Sequence, residues 1–328
     1  MNRRQYITFL GSLILAATCA ASAIAIAQEK WPDKPVRLIV PFPPGGGTDM
    51  LSRMIGAQLG KENGKAFVVE NHPGAGGNIG LDLVAKAAAD GYTIGMGQAT
   101  NLTINPSLYP EMPFDPSKDF VPIVLVAQQP MVLVVASTSP YKSVADLLKG
   151  ARENKDGLKI GLAGNGTVGY LAGEMLARRA NVKLLNIPYK GASPALVDLI
   201  GGQFDLYFGN TQSVMALVGS GKLRALAVTS AKRLKALPSV PTLAESGFPG
   251  FEAVTWSGLV GPAHMPVAVV AQINQQVNQI LQRPDMLEKM TAEGSDALGG
   301  SPQDFALYLK SEQTKWSALI HDAGISLK

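Results

Sequence analysis

Cysteine is nearly absent from this chain: Cys19 is the only one in 328 residues. It lies in an N-terminal apolar run that reads as a cleaved signal, so the mature chain is expected to have none. That excludes a disulfide framework, a thiolate metal site and a cysteine nucleophile. Histidine is scarce as well, since His72, His264 and His321 are far apart and no HExxH spacing occurs, which argues against a histidine metal site or catalytic cluster. Charged residues make up 16% of the chain, with a formal net charge of +4. Loss of Arg3 and Arg4 with the signal lowers the basic count from 29 to 27 against 25 acidic residues, or +2. No Lys/Arg stripe interleaved with aromatics appears, so no nucleic-acid partner is expected. No second apolar run of spanning length follows the first, and the rest of the chain reads as soluble.

At the start, Asn2-Arg3-Arg4 is a basic n-region, Ile7 to Ala21 is apolar, and Ala25-Ile26-Ala27 is a small-x-small cleavage site. Residues 1–27 are therefore expected to be a secretory signal peptide, an uncleaved anchor being the alternative. With 46% hydrophobic residues, the remainder can bury a large core and is long enough for two domains.

The stretch that organises this remainder is Val40-Pro41-Phe42-Pro43-Pro44-Gly45-Gly46-Gly47-Thr48-Asp49. A β-branched run, Val36 to Val40, reads as a strand buried on both faces. Three glycines then remove the Cβ atoms that would keep another group away, and Thr48 or Asp49 can cap a helix with apolar Met50, Leu51, Met54, Ile55 and Leu59. Strand, glycine loop and helix N-terminus together form an anion seat, because first-turn amides have no intrahelical partner. A plain tight βα turn would read the same way.

Strand and helix signals alternate onward: helix Asp49 to Leu59, strand Phe67 to Glu70, helix Ile79 to Ala89 and strand Tyr92 to Met96. Such alternation implies βαβ units on a parallel sheet, where ligands sit outside the carboxyl ends of the strands. The loops Asn71 to Asn78 and Gly97 to Asn101 join the first on that rim. Pro106 to Phe120 reads as a Pro/Asp-rich connection. Strands Pro122 to Ala127 and Met131 to Ala136, separated by Gln128-Gln129-Pro130, mark the passage to a second domain. There the order is helix Val144 to Arg152, strand Lys159 to Leu162, helix Tyr170 to Arg179, strand Leu184 to Pro188, helix Pro194 to Ile200, strand Asp205 to Phe208, helix Gln212 to Val218 and strand Leu223 to Val228. Glu252 to Gly261 reads as the strand returning to the first domain. Helices Val267 to Leu281, Met286 to Ala292 and Asp304 to Ala323 then cover it. The first domain is thus expected to be discontinuous, 28–127 plus 253–328, with 128–252 inserted as the second.

Gly164-Asn165-Gly166-Thr167-Val168-Gly169 matches GxGxxG, but no acid follows between Glu174 and Asp198 to hold a ribose, so a dinucleotide site is not expected. Gly191-Ala192-Ser193-Pro194 resembles a nucleophile elbow, yet Pro194 has no N–H for an oxyanion. Asp49 and Asp205 could form a carboxylate pair, or cap a helix and a strand end; Asp205 could also meet a ligand ammonium. No nucleophile and base pair is visible, so binding is expected rather than catalysis, without cofactor or metal.

Seven segments resemble the substrate-binding receptors of tripartite tricarboxylate transporters, the Bug receptors, in order along essentially the whole mature chain. They are Trp31 to Val36, Val40 to Asp49, Val69 to Gly80, Asp90 to Thr93, Asn105 to Tyr109, Pro188 to Gly191 and Pro241 to Gly247. The resemblance implies an α/β, two-lobed type II periplasmic binding protein (Venus flytrap), each lobe a mixed, mainly parallel sheet flanked by helices. It implies a periplasmic monomer that closes on a small organic carboxylate, a di- or tricarboxylate, aromatic acid or acidic amino acid. Its partner would be a membrane permease or, alternatively, a sensor kinase ectodomain; a secreted hydrolase on the same fold is the remaining alternative. The resemblance places the ligand against Phe42, Pro43, Gly45, Gly46, Gly47, Thr48 and Asp49, against Gly76, Gly77 and Asn78, and against Thr100 and Asn101. From the second domain it adds Ala163, Gly164, Asn165, Gly166, Thr167, Gly191 and Asp205. Tyr170 stands where many members have His.

Overall fold

Aliphatic residues make Val36–Val40 (β1) a doubly buried strand: Val36, Leu38, Ile39 and Val40 are fully inaccessible, and Arg37 alone reaches solvent, paired with Glu70 at 2.8 Å. It runs parallel to β2 (Phe67–Asn71) on one side and β3 (Thr93–Gln98) on the other. Such pairs need crossovers, here α1 (Gly47–Asn63) and α2 (Asn78–Ala85). The structure, a computed structural model, describes residues 31–164, 166–322 and 325, so the expected signal peptide lies outside the described residues. Lys34–Lys328 form one compact unit, which holds every element among the described residues.

α2 stops four residues before its expected end at Ala89. Gly91 takes φ +84°, and the Tyr92 amide bonds the Asp90 carboxylate at 3.0 Å, turning the chain back into β3. Beyond β3, a π-helical turn at Thr100–Ile104 and a short helix α3 (Asn105–Leu108) occupy a stretch expected to be irregular. Pro106 is accepted there because a first-turn amide has no intrahelical acceptor to lose.

β4 (Phe120–Ala136) is one 17-residue strand where two were expected. Pro130 does not interrupt it, because β4 changes partner at that residue. It pairs with β9 (Val254–Pro262) as far as Pro130 and with β7 (Leu206–Asn210) and β8 (Leu223–Val228) from Met131 or Val132 onward. β7 in turn lies parallel to β5 (Leu158–Leu162), and β5 to β6 (Leu184–Pro188). α4 (Val144–Glu153), α5 (Val168–Ala180), α6 (Ala192–Ile200) and α7 (Thr211–Gly219) connect them. The order β2-β1-β3-β9-β4-β7-β5-β6 therefore holds two mainly parallel lobes, joined through antiparallel β9 and β4. Thr229 ties both passages between them. Its Oγ1 accepts from the Met131 amide at 2.8 Å, and its carbonyl accepts from the Ala253 amide at 3.1 Å.

α8 (Val267–Leu281), α9 (Pro284–Ala292), the two-residue β10 (Asp296–Ala297) and α10 (Pro302–Asp322) follow β9; α8 packs on α1 and β4, β10 pairs with β4, and α10 packs on β4 and the π-helical turn. α10 is locked to β9 by a buried carboxylate. Glu312 accepts from the indole nitrogens of Trp256 at 3.0 Å and Trp316 at 2.9 Å, with Lys315 paired to its other oxygen. Trp256 also meets Phe305 and Tyr308 edge-on, each at 5.7 Å. Glu312→Leu would leave two indole N–H groups buried without an acceptor, and is expected to cost about 2–4 kcal/mol in urea unfolding. Glu312→Gln, which keeps an acceptor, should cost less.

Candidate ligand-binding site

The carboxyl end of β1 runs through Pro41–Gly46 into α1. Gly46 is the N-cap, at φ −83° and ψ 166°, and supplies no side-chain cap. The amides of Gly47, Thr48 and Asp49 therefore lack intrahelical acceptors and form the positive end of the helix. Asp49 does not cap the helix. Its carboxylate reaches back to the Gly45 amide at 2.9 Å and also takes hydrogen bonds from Asn71 at 2.9 Å and Arg53 at 3.0 Å. It is 3% exposed and fully engaged in shaping the loop.

The second lobe repeats the device. Thr167 caps α5, accepting from the Tyr170 amide at 3.2 Å while donating to the Gly164 carbonyl at 3.0 Å. The amides of Val168 and Gly169 are left without intrahelical acceptors. Asn210 caps α7, accepting from the Ser213 amide at 3.1 Å.

These termini enclose an inner chamber of about 60 Å³. Its first-lobe wall is Phe42, Pro43, Gly46, Gly47, Thr48, Gln98 and Thr100. The opposite wall includes Ala163, Thr167, Val168, Gly169 and Asn210, with Met131 and Thr255 contributed from the crossing strands β4 and β9. No Asp, Glu, Lys, Arg or His lines it among the described residues. An outer chamber of about 460 Å³ adjoins it across Phe42, Pro43 and Ala163, and is lined further by Gly76, Gly77, Gly164, Tyr109 and Lys190.

The lobes meet along the glycine loop. Ser193 Oγ donates to the Pro44 carbonyl at 3.1 Å, which is where the elbow-like serine spends its hydroxyl. Gly191, at φ +139°, backs onto Pro43, where an added Cβ would lie 2.6 Å from the proline ring. A Cβ on Gly45 would sit 3.4 Å from Ser193 Oγ, and one on Gly47 only 2.7 Å from Asn210 Nδ2.

Several expected site residues are not brought to the chambers. Asp49 is turned into the loop, as described. Asn78 accepts from Asn105 at 2.6 Å, and Asn101 is fully buried, accepting from the Gln98 amide at 2.9 Å, so both brace loops. Gly166 takes φ +76° in the buried turn before Thr167. Asp205 precedes β7 at the end away from Asn210, where it accepts from the Lys159 amide at 2.7 Å. Asn165 lies outside the described residues. Gln98, Met131, Asn210 and Thr255 went unanticipated as lining groups. Asn210 had a readable signal, since Asn-Thr-Gln-Ser after a strand is the same capping pattern as Thr167.

A model of the family described as "Tripartite tricarboxylate transporter family receptor" (TctC) matches residues 51–325. The chain belongs to this family. A protein of Pseudomonas sp. (strain P51), named for the tcbD-tcbE intergenic region, is 42% identical over 95% of this chain and 92% of its own length. Rpa4515 of R. palustris, solved with adipate, superposes with a TM-score of 0.89 at 38% identity, covering 90% of this chain and 100% of the other. MatC of Rhodopseudomonas palustris, solved with bound malate, gives 0.84 at 30% identity over 88% and 100%. The TctC receptors are periplasmic binding proteins, and the two-lobed fold expected from the resemblance is the one found. Among the described residues no helix is long and apolar enough to cross a membrane.

The stability of the loop depends on pH. Burial pushes the Asp49 carboxyl up, but hydrogen bonds from Arg53, the Gly45 amide and Asn71 outweigh it and hold it below its ordinary value of 3.8. A carboxyl depressed by folding stabilises the native state above the ordinary value and loses that contribution as the pH falls through the depressed one. Asp49→Asn is therefore expected to cost about 1–3 kcal/mol at pH 7. In chemical denaturation at a series of pH values, the gap to the unsubstituted protein should shrink progressively below pH 3.8.

Proposed function

We propose that this TctC receptor captures a small organic carboxylate between its lobes and delivers it to the membrane subunits of a tripartite transporter. The observation that carries this reading is an uncharged inner chamber with unpaired helix N-terminal amides on both walls. Such a seat favours an anion through backbone N–H groups and helix dipoles, without an arginine clamp. The ligands solved with Rpa4515 and MatC, adipate and malate, are both carboxylates, which supports the same chemistry here.

Magnitudes favour capture by two walls over one. A hydrogen bond to a charged group contributes about 1.5–3 kcal/mol, whereas association costs roughly 4–15 kcal/mol. Two or three such bonds on one lobe barely offset that cost. Contacts from both lobes reach the roughly −8 kcal/mol of a micromolar complex. The ligand then favours closure because only the closed state offers both walls. In this reading the lobes are 28–127 plus 253–328 and 128–252, they bend where Thr229 ties the two crossings, and a monomer carries the complete cleft. The export signal is residues 1–27, and no chemical step is performed.

A thermal-shift panel of mono-, di- and tricarboxylates, aromatic acids and acidic amino acids tests it, each acid paired with its neutral amide. A binder at a hundredfold excess over Kd adds about 2.7 kcal/mol, or roughly 4 °C for a chain of this size. The expected result is a shift with one class of acid and none with its amide. Equal shifts with the amides, or none with any acid after removal of co-purified ligand by unfolding and refolding, would overturn the carboxylate reading. Uptake of the identified acid should in turn stop when the neighbouring permease is deleted.

A further inference from the structure

Behind the cleft, on the other face of the two crossing strands, lies a separate cavity of about 310 Å³. Successive residues of a strand point to opposite faces. Met131 of β4 and Thr255 of β9 line the inner chamber, whereas their neighbours Pro130 and Val254 line this rear cavity. The loop after β8 adds Lys232, Leu234 and Lys235, the stretch between α9 and β10 adds Ser295 and Asp296, and Glu252 enters just ahead of β9. Both signs of charge are present, and they are not spent on one another. Arg233 is paired with Glu245 at 2.8 Å and donates to the Pro238 carbonyl at 3.2 Å. By contrast, the side chains of Lys232, Lys235 and Glu252 make no hydrogen bond or ion pair with any described residue. The Asp296 carboxylate accepts a single long bond, from the Gln128 side-chain amide at 3.5 Å. Ser295 is 2% exposed, and its buried hydroxyl has no partner, a state that calls for a ligand or a water to complete it. A molecule of one sign would be drawn to one set of these groups and repelled by the other. One that carries an ammonium and a carboxylate a few bonds apart satisfies both.

We propose that the rear cavity is an effector site for a neutral α-amino acid. Its carboxylate is held by Lys232 and Lys235, its ammonium by Asp296 and Glu252, and its side chain rests on Pro130, Leu234 and Val254. The site adjoins the wall of the inner chamber. Gly294, which also lines the cavity, accepts from Thr211 Oγ1 at 2.8 Å, and an added Cβ there would lie 2.8 Å from the Thr211 Cβ. Thr211 follows Asn210, the cap of α7 that lines the inner chamber and faces Gly47. An amino acid that bridges the loop after β8 and the stretch between α9 and β10 therefore favours the arrangement in which the lobes touch. Two ligands that favour one arrangement tighten each other's binding by the same factor. The site itself stands apart from the carboxylate reading, and only its coupling to the cleft rests on that reading.

Titration calorimetry with leucine tests the site, with two controls: leucinamide, which lacks the carboxylate, and 4-methylpentanoate, which lacks the ammonium. Each is titrated into the unliganded protein and into the protein saturated with the acid that binds best in the thermal-shift panel. Leucine is expected to bind the unliganded protein about fivefold more tightly than either control, and about fivefold more tightly again once the cleft is filled. The double substitution Lys232→Met/Lys235→Met and the single Asp296→Asn should each weaken leucine about fivefold. Neither should change the affinity for the cleft acid measured without leucine, and melting temperatures report whether the variants are folded. No leucine binding, equal binding of the controls, or a leucine affinity unmoved by either substitution would overturn the site. Competition between leucine and the acid would put leucine in the cleft and overturn it as well. Leucine binding that is unchanged by filling the cleft would overturn the coupling. If no acid of the panel binds, the carboxylate reading falls, while the titration of the unliganded protein still decides the rear site.

Discussion

In the proposed capture, closure depends on backbone lying directly against a side chain of the other lobe. Gly47 begins α1 with its Cα facing Asn210, and Asn210 cannot swing aside freely because its carbonyl oxygen caps α7 through Ser213. The same restriction recurs where Gly191 abuts Pro43 and Gly45 faces Ser193. The glycine run thus serves two ends. It leaves first-turn amides open toward the inner chamber, and it lets two lobes approach within the width of a missing methyl group.

Charge is handled by separation. The carboxylate of Asp49 sits at the start of α1, where it would repel an anion if it faced the cleft. It is instead turned back onto Gly45, Asn71 and Arg53, so that it rigidifies the loop and its charge is neutralised within it. Glu312 performs a comparable task far from the cleft, holding α10 to β9 through two indoles. In the proposed capture the binding surface is made of dipoles on both inner walls, and dipoles fixed by helices need no reorganisation when an anion arrives. Specificity is then left to whatever lines the outer end.

Much of the architecture was legible in the residue pattern because the strands are short aliphatic runs and the helices repeat at 3.6 residues. The departures have local causes. Pro130 looks like a break, yet β4 exchanges partners there and needs no amide from it. Thr100–Leu108, rich in Asn, Thr and Pro, carries no apolar periodicity and still forms helical turns, held by side-chain bonds such as that of the Thr103 hydroxyl to the Ala99 carbonyl. For the site, a carboxylate at a helix start looks the same in sequence whether it braces a loop or faces a ligand. Asp205 was readable from direction alone: it lies at the amino end of β7, and the rule that ligands gather at carboxyl ends selects Asn210.

The most direct measurement is the affinity of Gly47→Ala, by calorimetry, for the carboxylate that binds best to the unsubstituted protein. Alanine at a helix start does not itself weaken α1 and lowers the entropy of the unfolded chain, and the melting temperature of the unliganded variant reports whether it is folded. Its methyl group would meet Asn210 Nδ2 at 2.7 Å, however, and keep the walls apart. The account predicts binding weakened by at least about tenfold, the loss of one charge-assisted hydrogen bond, in a fully folded protein. Unchanged affinity in a folded Gly47→Ala variant would contradict it, because the ligand would then be held without the approach of backbone to side chain on which closure rests.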